Sequence, residues 1–474
     1  MIKNEAITKR SEDFAKWYTD ICKKAELMDY SSVKGFIIYR PYGYAIWEEI
    51  QKYLDAEFKK SGHQNVYLPL VIPESLFNLE KEHVEGFAPE TLIATIGGKE
   101  ELEDRLIIRP TSEVLFTDHF RRVINSYRDL PVLYNQWCSV VRWEKTTRPF
   151  LRGSEFLWQE GHTMHRTGRE AKKEALDILK VYEGLGTKLL AIPFVSGEKT
   201  PKEKFAGAKN TYSIEALMPD GKALQSGTTH YFGDGFAAAF GVKFLDKDAT
   251  LKVPHQSSWG VSTRLIGSII MVHGDDNGLV LPPYVAPIQL VIIPIRVENS
   301  GDQKQIDRLY RRLKTHYRVK MDDSSKSPGW KFSEYEMKGV PLRIEIGPRD
   351  LANKSVTLVR RIDSKKTVVL LQDLDKVIKQ EMKEIHDLML DKATKYKDEH
   401  TTVTTKFSEL DAIFNDKLGY AKVMWCGDPK CEATFKEKFQ ATIRNLPLKQ
   451  VPHDDSCIVC GKKAKKVALV AKAY

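Results

Sequence analysis

No apolar run in this chain is long enough to span a bilayer, so a membrane-crossing helix has no place in the reading. Residues 1–17, MIKNEAITKRSEDFAKW, lack the apolar core of a secretory signal and read as an amphipathic helix. Cysteine is scarce, with six among 474 residues. So few thiols in a large chain argue against a disulfide framework and place the protein in the reducing cytoplasm. Internal repeats and low-complexity segments are also missing, which leaves ordinary globular domains.

Length and charge are the first positive signals. A chain of 474 residues exceeds one core and predicts about two to four domains. Composition is that of a water-soluble protein, 42% apolar and 29% charged. Lys and Arg number 74 against 64 acidic residues, and the net +10 suits a polyanionic partner without naming one.

The most informative stretch is VRWEKTTRPFLRGSEFLWQEGH, residues 141–162. It reads as two strands joined by a basic loop that holds Arg148 and Arg152. Side chains alternate along a strand, so Arg142 and Glu144 share one face of the first. On the second, Phe156, Trp158, Glu160 and His162 share a face. One solvated strand could carry such a mixture by chance. Two adjacent strands with a cation, carboxylates, an indole and an imidazole on one surface point to a ligand pocket.

Around it the chain alternates elements. GFIIYRPYG (35–43) predicts a strand, 45–60 an amphipathic helix and NVYLPLVIP (65–73) a proline-interrupted strand at an edge or interface. RLIIRP (105–110) predicts a strand before a helix near Ser112. Residues 167–205 read as helix, strand and loop, then KALQSGTTHYFG (222–233) and 254–275 complete a first domain. The proline-rich LPPYVAP (281–287) marks a boundary. Beyond it strands and helices alternate as in a compact α/β domain, and a charged helix near 375–397 leads to a small terminal unit. The expected domains are 1–286, 287–385 and 386–474.

The two opening strands resemble the second signature motif of class II aminoacyl-tRNA synthetases. GHQNVYLP (62–69) with its preceding helix resembles the first motif, which builds a dimer interface, and GVSTR (260–264) resembles the third. A lone GxxxR carries almost nothing; three motifs in order carry much more. RPTSE (109–113), FLWQEGHT (156–163), SGTTHYFG (226–233) and SWGVSTR (258–264) resemble the prolyl-tRNA synthetase family in its archaeal and eukaryotic form, across essentially the whole chain.

The resemblance implies an α+β catalytic domain with an antiparallel sheet and flanking helices. An α/β anticodon-binding domain and a small α+β zinc-binding-like domain follow. It also implies a homodimer that joins L-proline to tRNA(Pro) with ATP and Mg²⁺. By the same resemblance Thr111 and Glu113 receive the proline ammonium, Trp158 walls the ring with Phe87 opposite, and Glu160, His162 and His230 orient the amino acid. Arg142 bridges the α-phosphate and the reacting carboxylate, and Glu144 accepts from the adenine amino group. Arg152 and Arg264 hold the terminal phosphates, with Gln225 and Thr228 on the nucleoside side. Phe332, Glu336, Lys338 and Arg343 meet anticodon bases or phosphates. Members of the family often end on a tyrosine, as here at Tyr474, whose terminal carboxylate reaches toward the pocket.

Cys426, Cys431, Cys457 and Cys460 form C-x4-C and C-x2-C pairs, the spacing of a structural tetrahedral Zn²⁺ site with no open position for catalysis. The interval between the second motif and residue 226 is too short for the editing domain that many bacterial relatives insert there, so clearance of alanyl-tRNA is not expected of this chain. Rival readings are a threonyl-, seryl- or glycyl-specific enzyme of the same class, or an inactive synthetase-like RNA-binding protein. Retention of Arg142, Glu144 and Arg264 speaks against the last.

Overall fold

The structure is a computed structural model that describes residues 7–83, 90–297 and 299–474. Its first part is a sheet backed by helices. Helix Pro41–Lys60 starts on a proline, whose missing N–H costs nothing in a first turn. It buries Ile46, Trp47, Ile50, Leu54 and Phe58, a stripe at helical spacing. Each such side chain stabilises the fold by about 1.5–3 kcal/mol. Helices Gly168–Leu185 and Arg264–His273 join the same core.

The sheet runs Val195–Glu198, Asn210–Leu217, Ala223–Gly233, His255–Ser262, Glu155–His165, Val132–Val141 and Gln64–Asn65. All neighbours are antiparallel except the last pair, where Gln64–Asn65 forms a parallel edge. Asn210–Leu217 is a strand that the sequence reading passed over. The first strand of the opening pair ends at Val141, so Arg142 and Glu144 lie just beyond it in the loop. Arg142 still donates its backbone N–H to Ser154 O at 2.8 Å, which holds the two chains together there.

This sheet continues into the C-terminal unit. Strand Thr442–Pro447 pairs with Val195–Glu198, and Lys466–Ala471, Tyr420–Trp425 and Thr401–Val403 follow, making eleven strands. Gly197 permits the junction: a Cβ there would lie 2.5 Å from Leu446 O.

Between these parts sits a five-stranded α/β domain, ordered Val319–Met321, Leu290–Pro294, Leu342–Ile346, Ser355–Arg360 and Lys366–Leu370. Its first three strands are parallel and the rest antiparallel. The 26-residue helix Leu374–Glu399 buries Leu374, Ile378, Met382, Ile385 and Met389 in that domain's core, so it runs straight through residue 385. Further along, Tyr396 Oη donates to Pro219 O of the first part at 3.1 Å. Among the described residues, no helix is long and apolar enough to cross a membrane.

Candidate active site

Four strands make one cavity of about 230 Å³. Strand Glu155–His165 supplies Phe156, Trp158, Glu160 and His162 from a single face, as alternation predicts. Gly161 between them has to be glycine, because a Cβ would meet the Trp259 indole at 2.0 Å. Strand Ala223–Gly233 adds Gln225, Thr228 and His230, and Thr111 and Glu113 enter from the start of helix Glu113–Val123. Arg142 and Arg264 close one end.

Glu160 is the hub of one half. Its carboxylate accepts from Gln136 Nε2 at 2.8 Å and from Ser112 Oγ at 2.5 Å, and His162 Nε2 lies 3.0 Å away. Burial pushes its pKa up, but these hydrogen bonds, led by His162, outweigh it and hold the group below its ordinary value. Thr111 Oγ1 donates to Glu113. The Trp158 indole N–H donates to Cys138 Sγ at 3.2 Å, and that thiol donates to Glu160 at 3.4 Å. The half therefore offers anionic acceptors beside a flat apolar wall. His162 stacks on Phe116, with ring centroids 4.1 Å apart, and its Nδ1 is buried with no partner among the described residues.

The other half is cationic. Arg142 donates from Nε to Pro110 O at 3.0 Å, and its guanidinium lies 5.5 Å from the ring centres of both Phe156 and Trp158. Arg264, in the first turn of its helix, donates to Leu151 O and to Gln225 O, each at 3.1 Å. Burial, then repulsion from Arg142 and Arg152, push its pKa down to about 10. Arg142 and Arg264 in this cavity, with Arg152 close enough to repel Arg264, offer a cationic surface for a polyanion, and Arg142 also faces the carboxylates of Glu113 and Glu160.

Arg264 also lines a second cavity with Arg148, Arg152 and Tyr474. Arg152 thus stands behind Arg264 and not inside the first cavity, and Glu144 lines neither. Tyr474 is docked there by its hydroxyl, which donates to Asp220 Oδ2 at 2.7 Å. Phe87 lies outside the described residues.

One wall escaped the sequence reading. Lys199, Glu203, Phe205 and Thr211 line the cavity opposite Glu160. Thr211 Oγ1 and His230 Nδ1 are 3.0 Å apart, and the Phe205 ring sits 4.7 Å from that imidazole. The signal was present: Thr211, Ser213 and Glu215 alternate with Tyr212, Ile214 and Ala216, a strand pattern with its polar face turned inward.

Burial holds His230 down to about 3, and His165 and His273 down to about 4. All three are neutral in the fold, whereas in the unfolded chain each takes a proton below pH ~6.5. The unfolded state then binds more protons, so stability falls as pH falls from ~6.5 to about 4, by about 1.4 kcal/mol per unit per histidine. Melting temperatures measured from pH 7.5 to 4.5 are expected to be level at first and to drop steeply below ~6.5. A flat profile would contradict the neutral assignment.

In the α/β domain, Phe332, Glu336 and Arg343 line one groove, and the Arg343 guanidinium stacks 4.0 Å from the Phe332 ring centre. Lys338 does not join them; its ammonium binds Glu26 and Glu334, each at 2.6 Å, and ties the domain to the first part. The four C-terminal cysteines come together with all sulfurs within 4.8 Å. Cys426 and Cys460 are 3.8 Å apart, the sulfur–sulfur edge of a tetrahedron built on Zn–S bonds of about 2.3 Å. The donor set fits zinc.

Residues 95–273 match the family model described as tRNA synthetase class II core domain (G, H, P, S and T). Residues 289–381 match an anticodon binding domain, and 407–474 match "Prolyl-tRNA synthetase, C-terminal". A proline–tRNA ligase of Clostridium novyi (strain NT) is 57% identical over 470 residues, covering 99% of this chain and 98% of that protein. Proline–tRNA ligase 2 of Bacillus cereus (strain ATCC 14579) is 55% identical over 99% of both. The crystal structure of prolyl-tRNA synthetase from Cryptosporidium parvum, complexed with halofuginone and AMPPNP, superposes with a TM-score of 0.95 at 38% identity. It covers 100% of this chain and 99% of that one.

Proposed function

Because the chain belongs to the prolyl-tRNA synthetase family, we propose that its cavity is divided at Arg142 into a proline half and an ATP half. The reaction is that of a proline–tRNA ligase: L-proline and ATP give prolyl-adenylate, and the prolyl group passes to the 3′ end of tRNA(Pro). The observation that carries the division is that one cavity is lined both by the hydrogen-bonded Thr111–Glu113 and Glu160–His162 pairs and by Arg142 and Arg264, with Arg142 facing Glu113 and Glu160 electrostatically as a residue at the seam would.

Proline presents a secondary ammonium, an apolar ring and a carboxylate. Thr111 and Glu113 take the ammonium, Trp158 covers the ring, and the Glu160–His162 pair with His230 fixes the floor. The carboxylate then meets Arg142, as does the α-phosphate of ATP. A carboxylate oxygen attacks the α-phosphorus and the bond to diphosphate breaks. No general base is required, because the nucleophile is already ionised. Positioning and charge stabilisation carry the step. Arg264 holds the outer phosphates and Gln225 and Thr228 the nucleoside, while Arg152, from the adjoining cavity, and Glu144, from the loop after Val141, meet the outer phosphates and the adenine amino group where ATP extends beyond this cavity. The Mg²⁺ that accompanies ATP belongs to that substrate and neutralises phosphate oxygens.

Zinc at Cys426, Cys431, Cys457 and Cys460 supplies structure only. Phe332, Glu336 and Arg343 receive anticodon bases by stacking and edge contacts. The domains are 1–286, 287–385 and 386–474 except that the second keeps the whole helix Leu374–Glu399, whose Met389 lies in its core, and the protein works in the cytoplasm as a homodimer. The edge strand Gln64–Asn65 and the exposed Tyr67 and Leu70 beside it support that dimer. Proline-dependent ATP–pyrophosphate exchange tests the reading.

A further inference from the structure

Lys199, Glu203 and Phe205 of the segment 199–205 line the cavity, yet two of the segment's anchors lie in the C-terminal unit. Thr200 Oγ1 donates to Glu432 Oε1 at 2.6 Å and accepts from the backbone N–H of Glu203 at 3.2 Å. Both Thr200 and Glu432 are buried. Glu432 follows Cys431 in helix Pro429–Phe439, so whatever orders the thiols also places this carboxylate.

A second anchor lies one residue earlier. Lys199 Nζ donates to Glu215 Oε1 at 2.8 Å and to the backbone oxygen of Arg444 at 2.6 Å. Arg444 in turn donates from Nε and Nη2 to Glu215 Oε2 at 3.3 and 3.2 Å. The Lys199 and Glu215 side chains are 2% and 0% exposed. At the far end, Phe205 donates its N–H to Thr211 Oγ1, the hydroxyl that meets His230. The wall is thus pinned at its start by Glu215 and by Arg444 and Glu432, the last two more than two hundred positions away in sequence, and at its end by Thr211, whose hydroxyl meets His230.

We propose that Glu432, through its hydrogen bond to Thr200, is a positioning residue for the proline half of the cavity. The C-terminal unit then acts on amino-acid affinity without touching the substrate. The hydroxyl that Glu432 holds is the one that fixes the backbone N–H of the cavity-lining Glu203. The proposal rests on the reading of the cavity as the proline site, and wild-type exchange that did not require proline would overturn that reading instead.

The test uses the full chain and three variants: Glu432→Ala, Glu432→Gln and Thr200→Val. Proline and ATP KM and kcat are measured in the exchange assay, with hydrogen exchange of amides 199–205, melting temperature and zinc content alongside. Glu432→Ala and Thr200→Val are expected to raise the proline KM about tenfold, the worth of one buried hydrogen bond. ATP KM and kcat stay within about twofold, and amides 199–205 exchange faster. Glu432→Gln restores the acceptor and returns the proline KM toward the wild-type value. An unchanged proline KM in Glu432→Ala overturns the proposal, as does a glutamine variant impaired like the alanine one. A joint fall of kcat, ATP affinity and melting temperature also overturns it, because that is the mark of a merely structural contact.

Discussion

Replacing Arg142 by alanine is expected to lower proline-dependent ATP–pyrophosphate exchange by at least about a thousandfold, or roughly 4 kcal/mol in the barrier. The guanidinium is anchored by Pro110 O and stands over Trp158, which aims its remaining N–H groups along the seam between the two halves. Burial lowers its pKa, and Glu113, Glu160 and Glu144 pull it back up. An arginine held so, among carboxylates and with few water contacts, is ready for charge that develops between two substrates. Alanine removes that stabilisation where the charge develops between the two substrates. The effect is expected mainly in kcat, with the melting temperature little changed. A folded Arg142→Ala protein with near-normal exchange would sink the assignment of the seam.

The second large effect is expected at the far end of the chain. Cys457 is buried, and its sulfur is one of four that converge. Burial, with Cys460 and Cys426 adding to it, pushes the Cys431 thiol well up, so without a cation the four converging sulfurs would be joined only by weak thiol contacts such as Cys460 to Cys426 at 3.8 Å. Bound zinc turns them into ligands, and its binding energy becomes folding energy of a unit with a small core. Cys457→Ser is expected to reduce zinc from about one per chain to less than half. The loss of at least ~3 kcal/mol would lower the melting of a unit of this size by roughly 10 °C or more. Elemental analysis and calorimetry check both. Full stability without zinc in the unsubstituted protein would show the cysteines to be a metal-free remnant.

The catalytic half of this site was legible because strands write their faces into the sequence every second residue. Phe156, Trp158, Glu160 and His162 could be assigned together from that rule, and the structure puts all four on one cavity. Thr111, Glu113, Arg264, Gln225, Thr228 and His230 join them there, as the family resemblance implied. Glu144 and Arg152 do not, because the strand stops at Val141 and the hairpin closed by Arg148 and Arg152 turns away behind Arg264. Lys199 and Glu203 stayed hidden for a different reason. They owe their place to the pairing of Val195–Glu198 with Thr442–Pro447, a contact with no local signature in either segment. Lys338 reads as an anticodon or phosphate contact from the resemblance of its segment to an anticodon-binding domain. Its two carboxylate partners are visible only in three dimensions.

The proline half of the cavity, beside Arg142, is the centre of the proposed function. The measurement that reaches it most directly is ATP–pyrophosphate exchange by the unsubstituted chain over a panel of amino acids. Proline is expected to support rapid exchange, and alanine weak exchange, since the loss of two methylenes discriminates by only ~1–3 kcal/mol each. Threonine, serine and glycine are expected to support none above background. Equal or faster exchange with threonine, serine or glycine would contradict the proline half built on Thr111, Glu113 and Trp158.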